Sequence, residues 1–111
     1  MTEHTKLFDL CGVENVSADQ PFKTEMQGEE LAVFEVDGQY YVTQNECTHG
    51  PGSLADGYVD GAEIECPFHQ GRFNVLTGAP TCPPCTVPLR TWTVTVRDGR
   101  IFIDPAQHAD S

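Results

Sequence analysis

The chain has 111 residues, enough for one compact domain and little more. Asp and Glu number 17 against 6 Lys and Arg, and the net charge of −11 argues against nucleic acid and anionic membranes as partners. No run of about 18 apolar residues occurs, so no membrane span is expected. The first ten residues, MTEHTKLFDL, lack the basic and apolar regions of a secretory signal, and the cytoplasm is the expected compartment.

Strand signals dominate in chain order. Residues 7–10 are a weak strand candidate, 15–20 suit one helical turn before Pro21, and 22–26 are a second weak strand. Residues 31–36 (LAVFEV) and 39–43 (QYYVT) flank Asp37-Gly38, a strong two-residue hairpin signal. Residues 58–59 and 62–65 flank a second such signal, Asp60-Gly61. Residues 91–96 (TWTVTV) alternate polar and apolar, and Asp98-Gly99 then turns the chain into 100–103. No long segment has an apolar period of 3.6 residues, so the predicted fold is all-β.

The middle differs in texture. Residues 45–54 and 67–85 are rich in Gly, Pro, Cys and polar side chains, and loops of this kind need something besides apolar burial to hold them. The predicted organisation is a single domain over 1–111. Segments 1–44 and 87–111 form a β scaffold, and 45–86 form a smaller loop-rich part.

That part carries Cys47-Thr48-His49, then sixteen residues, then Cys66-Pro67-Phe68-His69. Each motif offers one thiolate and one imidazole, and each follows a predicted strand. The intervening hairpin can bring the two loops side by side. Four such ligands suit one tetrahedral zinc, or a [2Fe–2S] cluster with two cysteines on one iron and two histidines on the other. Zinc is redox-inert and would make a structural interaction module; iron would make an electron carrier. Neutral imidazoles in place of thiolate anions make an added electron less costly, which raises the potential above that of all-cysteine clusters.

The run CTHGPGSLADGYVDGAEIECPFHQGRF, Cys47 to Phe73, resembles the Rieske ferredoxin family. Weaker likeness extends through ELAVFEVDGQYYVTQNE before it and TGAP…CPP after it. The resemblance implies a Rieske fold, an antiparallel β-sandwich scaffold with a loop-rich cluster-binding subdomain. It implies that Cys47 and Cys66 hold the inner iron and His49 and His69 the outer one, with their free ring nitrogens near solvent. A midpoint that falls on the alkaline side is then expected, because ligation lowers the pKa of the second ring N–H.

High-potential members of the family add a cysteine to each loop, forming a disulfide, and aim a Ser and a Tyr hydroxyl at the sulfurs. The matching positions here are Gly52 and Phe68, and Gly71 and Phe73. Hydrogen bonds to cluster sulfurs raise the potential, so their loss predicts a low-potential member, near roughly −150 mV. That pattern is similar to the ferredoxin component of bacterial aromatic-ring-hydroxylating dioxygenase systems. The implied partners are a flavoprotein NAD(P)H reductase, which supplies single electrons, and a terminal oxygenase, which receives them. A ferredoxin serving a different monooxygenase remains an alternative within the class. The other histidines, His4 and His108, sit in the tails, so no facial triad for a catalytic iron is available and no enzyme activity is expected.

Other residues have plainer readings. Cys82-Pro83-Pro84-Cys85 is a C-x-x-C, but no βαβ context suggests a thioredoxin-type motif. The resemblance places Pro83-Pro84 in a proline-rich loop over the cluster. Cys11 reads as a small buried apolar residue and Trp92 as core. Gly50, Gly52 and Gly71 suit a tight backbone path. Pro51, Leu54, Pro67 and Phe68 are candidates for an apolar collar around the site, with core packing as the alternative for Leu54.

Overall fold

The computed structural model describes residues 7–48, 52–67, 71–82 and 87–108, with side chains in the last strand described through 104. Ten strands occur among them: β1 Phe8–Gly12, β2 Phe22–Met26, β3 Glu29–Val36, β4 Gln39–Gln44, β5 Tyr58–Asp60, β6 Glu63–Glu65, β7 Arg72–Asn74, β8 Pro80–Cys82, β9 Thr91–Arg97 and β10 Arg100–His108. The only helical pieces among the described residues are two three-residue 3-10 turns, Val13–Asn15 and Leu54–Asp56. Among the described residues, no helix is long and apolar enough to cross a membrane. The fold is all-β, as the sequence patterning predicts.

Every pairing is antiparallel. Six strands form one sheet in the order β1-β10-β9-β4-β3-β2, and four form a smaller sheet in the order β5-β6-β7-β8. The edges of the larger sheet come together, where the Thr24 hydroxyl of β2 donates to the Leu10 carbonyl of β1 at 3.5 Å. The curled sheet encloses Leu10, Cys11, Val16, Met26, Leu31, Val33, Val42, Trp92, Ile101 and Ile103. Cys11 and Trp92 are therefore core residues, as read, and Arg90 lays its guanidinium over the Trp92 ring at 5.2 Å.

Strand β3 explains how the second sheet attaches. Residues 31–34 are all buried, although side chains on a strand alternate between faces. Leu31 and Val33 enter the scaffold core, while Ala32 and Phe34 join a second core with Cys47, Leu54, Ile64, Cys66, Phe73, Val75 and Leu89. LAVFEV reads as a continuous apolar run because it is a wall between two cores.

Three hairpins turn on a pair of consecutive residues that both have positive φ. Asp37 and Gly38 have φ of 52° and 80°, and Asp98 and Gly99 of 53° and 75°, the signature of the primed turns that match strand twist. A third, Gln27-Gly28 with φ of 54° and 86°, joins β2 to β3 and lacks a strong sequence signal.

Three expectations need correction. The helical turn lies at Val13–Asn15 and not within 15–20, because the Asn15 side chain accepts the Gly12 amide at 3.1 Å and closes the turn early. Ser17 and Gln20 instead pair their backbones. The second hairpin turns on Gly61-Ala62, one residue later than expected. Asp60 pairs with Glu63 in the ladder, and the positive φ of 63° falls on Gly61 as the first turn residue. Finally, the stretch 67–85 is not only loop, since it contains β7 and β8. Three-residue strands are too short to show alternation, although Phe73 is fully buried between partly exposed Arg72 and Asn74.

Candidate metal centre

The two motifs sit on loops built to one plan. The Cys47 amide donates to the Gly52 carbonyl at 2.9 Å, and the Cys66 amide donates to the Gly71 carbonyl at 2.8 Å. Each loop thus closes on a glycine five residues after its cysteine. Each is framed by an antiparallel pair, Glu46 with Ser53 and Glu65 with Arg72. The glycines expected to give a tight backbone path at 52 and 71 contribute their carbonyls to this closure.

Cys47 is 3% exposed and Cys66 is fully buried, and both belong to the apolar core that β3 shares. A thiolate in such surroundings is costly unless a cation offsets its charge, which is the environment of a metal ligand. His49 and His69 lie outside the described residues, as do Gly50, Pro51, Phe68, Pro83, Pro84, Cys85 and His4. The backbone of His108 ends β10, paired with Trp92.

Polar contacts missed in the sequence hold the first loop. Asn45 is 1% exposed and uses both ends of its amide. Its Oδ1 accepts the Ala55 amide at 2.9 Å, and its Nδ2 donates to Ser53 Oγ at 2.9 Å and to Glu30 Oε1 at 3.3 Å. Its backbone donates to Glu30 at 3.1 Å and accepts from Leu54 at 2.8 Å. Asn45 therefore bolts the loop, the Leu54–Asp56 turn and β3 together. The available signal was a lone Asn between a strand and a Cys/His motif.

Thr48 ties the same loop to a distant segment, since its hydroxyl donates to the Val87 carbonyl at 2.7 Å. The Gln44 amide donates to the Arg90 carbonyl at 3.0 Å, and the Arg90 amide donates to Gln44 Oε1 at 2.8 Å. Residues 87–90, which follow the proline-rich stretch, are thereby fixed to both β4 and the first loop. Leu89 donates its amide to Gly78 at 2.8 Å, where a φ of +81° suits glycine.

The second loop rests on β6 and β7. Gly57 passes so close to the Glu65 carbonyl that a Cβ would collide with it. Arg72, just after Gly71, ion-pairs with Asp60, Glu63 and Glu65. These contacts raise the guanidinium pKa, the Asp60 hydrogen bond foremost.

Leu54 and Phe73 are fully buried core residues, so the collar reading loses Leu54. Pro67 is exposed beside Cys66, and Val87 is 54% exposed beside Thr48. Cys82 ends β8 opposite Arg72 and is only partly exposed.

Two buried cysteines head matched loops over a β scaffold. Comparison with known proteins names the family. Residues 6–93 match the Rieske [2Fe-2S] domain, and the chain belongs to that family, which carries one [2Fe–2S] cluster. It is 49% identical over 99 residues to the ferredoxin component of a naphthalene 1,2-dioxygenase system from Pseudomonas putida, covering 89% of this chain and 95% of that relative. Among solved structures it resembles the Sphingomonas yanoikuyae B1 ferredoxin, with a TM-score of 0.87, 45% identity, and coverage of 89% of this chain and 98% of that one. It also resembles a chain of the complex of reduced oxygenase and oxidized ferredoxin in carbazole 1,9a-dioxygenase, with a TM-score of 0.84, 37% identity, and coverage of 94% and 97%. Relatives named as ferredoxin components are electron carriers and not catalytic subunits, and this chain is of the same kind.

Proposed function

We propose that the chain is the low-potential ferredoxin of an aromatic-ring dioxygenase system, with Cys47 and Cys66 holding the inner iron of its cluster and His49 and His69 the outer one. The cluster supplies the ability to take up and release one electron. The protein's part is to hold it rigidly and exclude water from the cysteine side. Both cysteines lie in the core shared with β3, and each loop is pinned by its own amide-to-glycine bond, so little has to rearrange when charge changes. The observation that carries the reading is this pair of matched loops over buried cysteines.

The electron donor in this reading is a flavoprotein NAD(P)H reductase, and the acceptor is a terminal oxygenase. The solved complex of a similar ferredoxin with an oxygenase supports the second partner. A net charge of −11 suits brief docking on a basic surface, since opposite charge speeds encounter without requiring tight binding. The need for a nicotinamide-dependent reductase suits the cytoplasm. The scaffold of residues 1–44 and 87–111 and the site region of 45–86 act as one unit in this reading, because β3 is common to both cores.

Visible absorption, low-temperature EPR of the dithionite-reduced protein and a redox titration test it. The expected result is a Rieske spectrum with a midpoint near roughly −150 mV. Cys66→Ser and His69→Ala should abolish the spectrum, while Cys82→Ser should not. A colourless zinc protein, or a clearly positive midpoint, refutes the proposal.

A further inference from the structure

Arg72 opens β7 immediately after Gly71, whose carbonyl closes the second loop on Cys66. Its guanidinium meets three carboxylates. Nη1 donates to Asp60 Oδ2 at 2.9 Å and to Glu63 Oε1 at 3.4 Å, and Nη2 donates to Glu65 Oε1 at 3.0 Å. Three negative charges against one positive leave this network at −2. In the ladder, Arg72 pairs on one side with Glu65, the residue before Cys66, and on the other with Cys82.

One carboxylate balances the charge of a guanidinium, so three exceed what neutrality requires. The excess charge stands where the second loop leaves its sheet. An electron added nearby meets two uncompensated negative charges, and it would meet three without Arg72. The Arg72, Glu65 and Glu63 side chains are 29%, 23% and 35% exposed and are screened by water only in part, while Asp60, at 60%, is screened more.

We propose that the Asp60–Glu63–Glu65–Arg72 network tunes the midpoint of the bound cluster electrostatically, the carboxylates lowering it and Arg72 limiting how far. This rests on the assignment of Cys66 as a ligand. It adds a cause of low potential that is separate from the missing hydroxyl donors at Gly71 and Phe73. Arg72 is a positioning residue that acts through charge and touches no reacting atom.

The test is a redox titration of the loaded protein and its variants, followed by EPR. At the effective dielectric of about 20 suited to protein surfaces, one unit charge acting across about 12 Å changes a reduced-to-oxidised ratio at fixed poise by about tenfold. Partial screening gives an expected range of about threefold to tenfold for Arg72→Gln, a midpoint about 28–59 mV lower for a one-electron couple. Arg72→Lys keeps the charge and should stay within about twofold of the parent. Asp60→Asn and Glu63→Gln should each move the midpoint upward. All shifts should shrink near 1 M salt, where the Debye length is about 3 Å.

If Arg72→Gln does not fold, the two carboxylate variants decide the matter alone. Shifts of the same sign in Arg72→Gln and Glu63→Gln, or no shift in the carboxylate variants, overturn the proposal while leaving the ligand assignment intact. A parent protein without a [2Fe–2S] signal overturns the ligand assignment first, and this inference with it.

Discussion

Asn45→Ala should cost the protein more than any other single polar substitution at the site. The side chain is 1% exposed, and it makes three hydrogen bonds. The Ala55 amide would lose its acceptor in a region where Ala55 is 6% exposed, and an unsatisfied buried donor costs about 1–3 kcal/mol. Loss of the bond to Ser53 adds about 0.5–1.5 kcal/mol. Glu30, with its side chain 56% exposed, can return to water at little cost. The sum is about 1.5–4.5 kcal/mol, or on the order of 6–20 °C in melting temperature for a domain of this size. Thermal scans by circular dichroism at a fixed rate, with the visible band followed in parallel, measure both fold and cluster loss. Ser53→Ala, which removes only one partner, should fall by a few degrees. If Asn45→Ala melts within about 2 °C of the parent, the amide is not the bolt described here, because an unpaired buried donor cannot be that cheap.

Cys11 supplies a pH dependence. Burial foremost pushes its thiol pKa up, with Asp9 and Glu14 adding to the shift and Arg100 opposing it. A raised folded-state pKa contributes stability that is fully present below the unfolded value, about 8.5, and is lost as pH rises through the folded one. Urea midpoints should therefore decline above about pH 8.5, and Cys11→Ala should flatten that decline; an unchanged slope would count against a buried neutral thiol. Gly57→Ala drives a Cβ into the Glu65 carbonyl, next to Cys66, and should cost about 1–3 kcal/mol and lower iron content per chain. Normal iron content in a folded variant would show that β5 and β6 can separate freely. Thr48→Val removes the bond to Val87 and should cost about 0.5–1.5 kcal/mol. Its signature is faster amide exchange at Val87 and Leu89 with the scaffold strands unchanged, and equal exchange rates would refute the tie.

The scaffold was legible because its signals are local. Asp37-Gly38 and Asp98-Gly99 announce hairpins whose flanking strands alternate, and the structure has both turns at the expected residues. Cys47 and Cys66 stood out as candidates because the spacing of a Cys/His pair is written along the chain. What escaped notice depends on contacts distant in sequence. Thr48 meets Val87 across 39 residues, and Arg72 gathers carboxylates 7, 9 and 12 positions away. Strands of three residues, such as β7 and β8, are recognised only by what they pair with. The matched loop closures lay in plain view as two glycines five positions after two cysteines, yet only the paired strands around them give that spacing meaning.

Strand β3 links these levels. Its register decides which residues face the scaffold and which face the site, because a slip of one position exchanges the two faces. Leu31 and Val33 would then enter the site core, and the smaller Ala32 would face the scaffold beside Phe34. The pairing that prevents this runs from Val36 with Gln39 to Leu31 with Gln44. It is set at the Asp37-Gly38 turn, where φ values of 52° and 80° admit only one tight connection. Gln44 is followed directly by Asn45, and Asn45 by Glu46 and Cys47. The turn therefore fixes where β4 ends, and with it the height at which the first cysteine enters the buried core. A surface hairpin with no chemistry of its own thus determines the placement of a buried cysteine ten residues away.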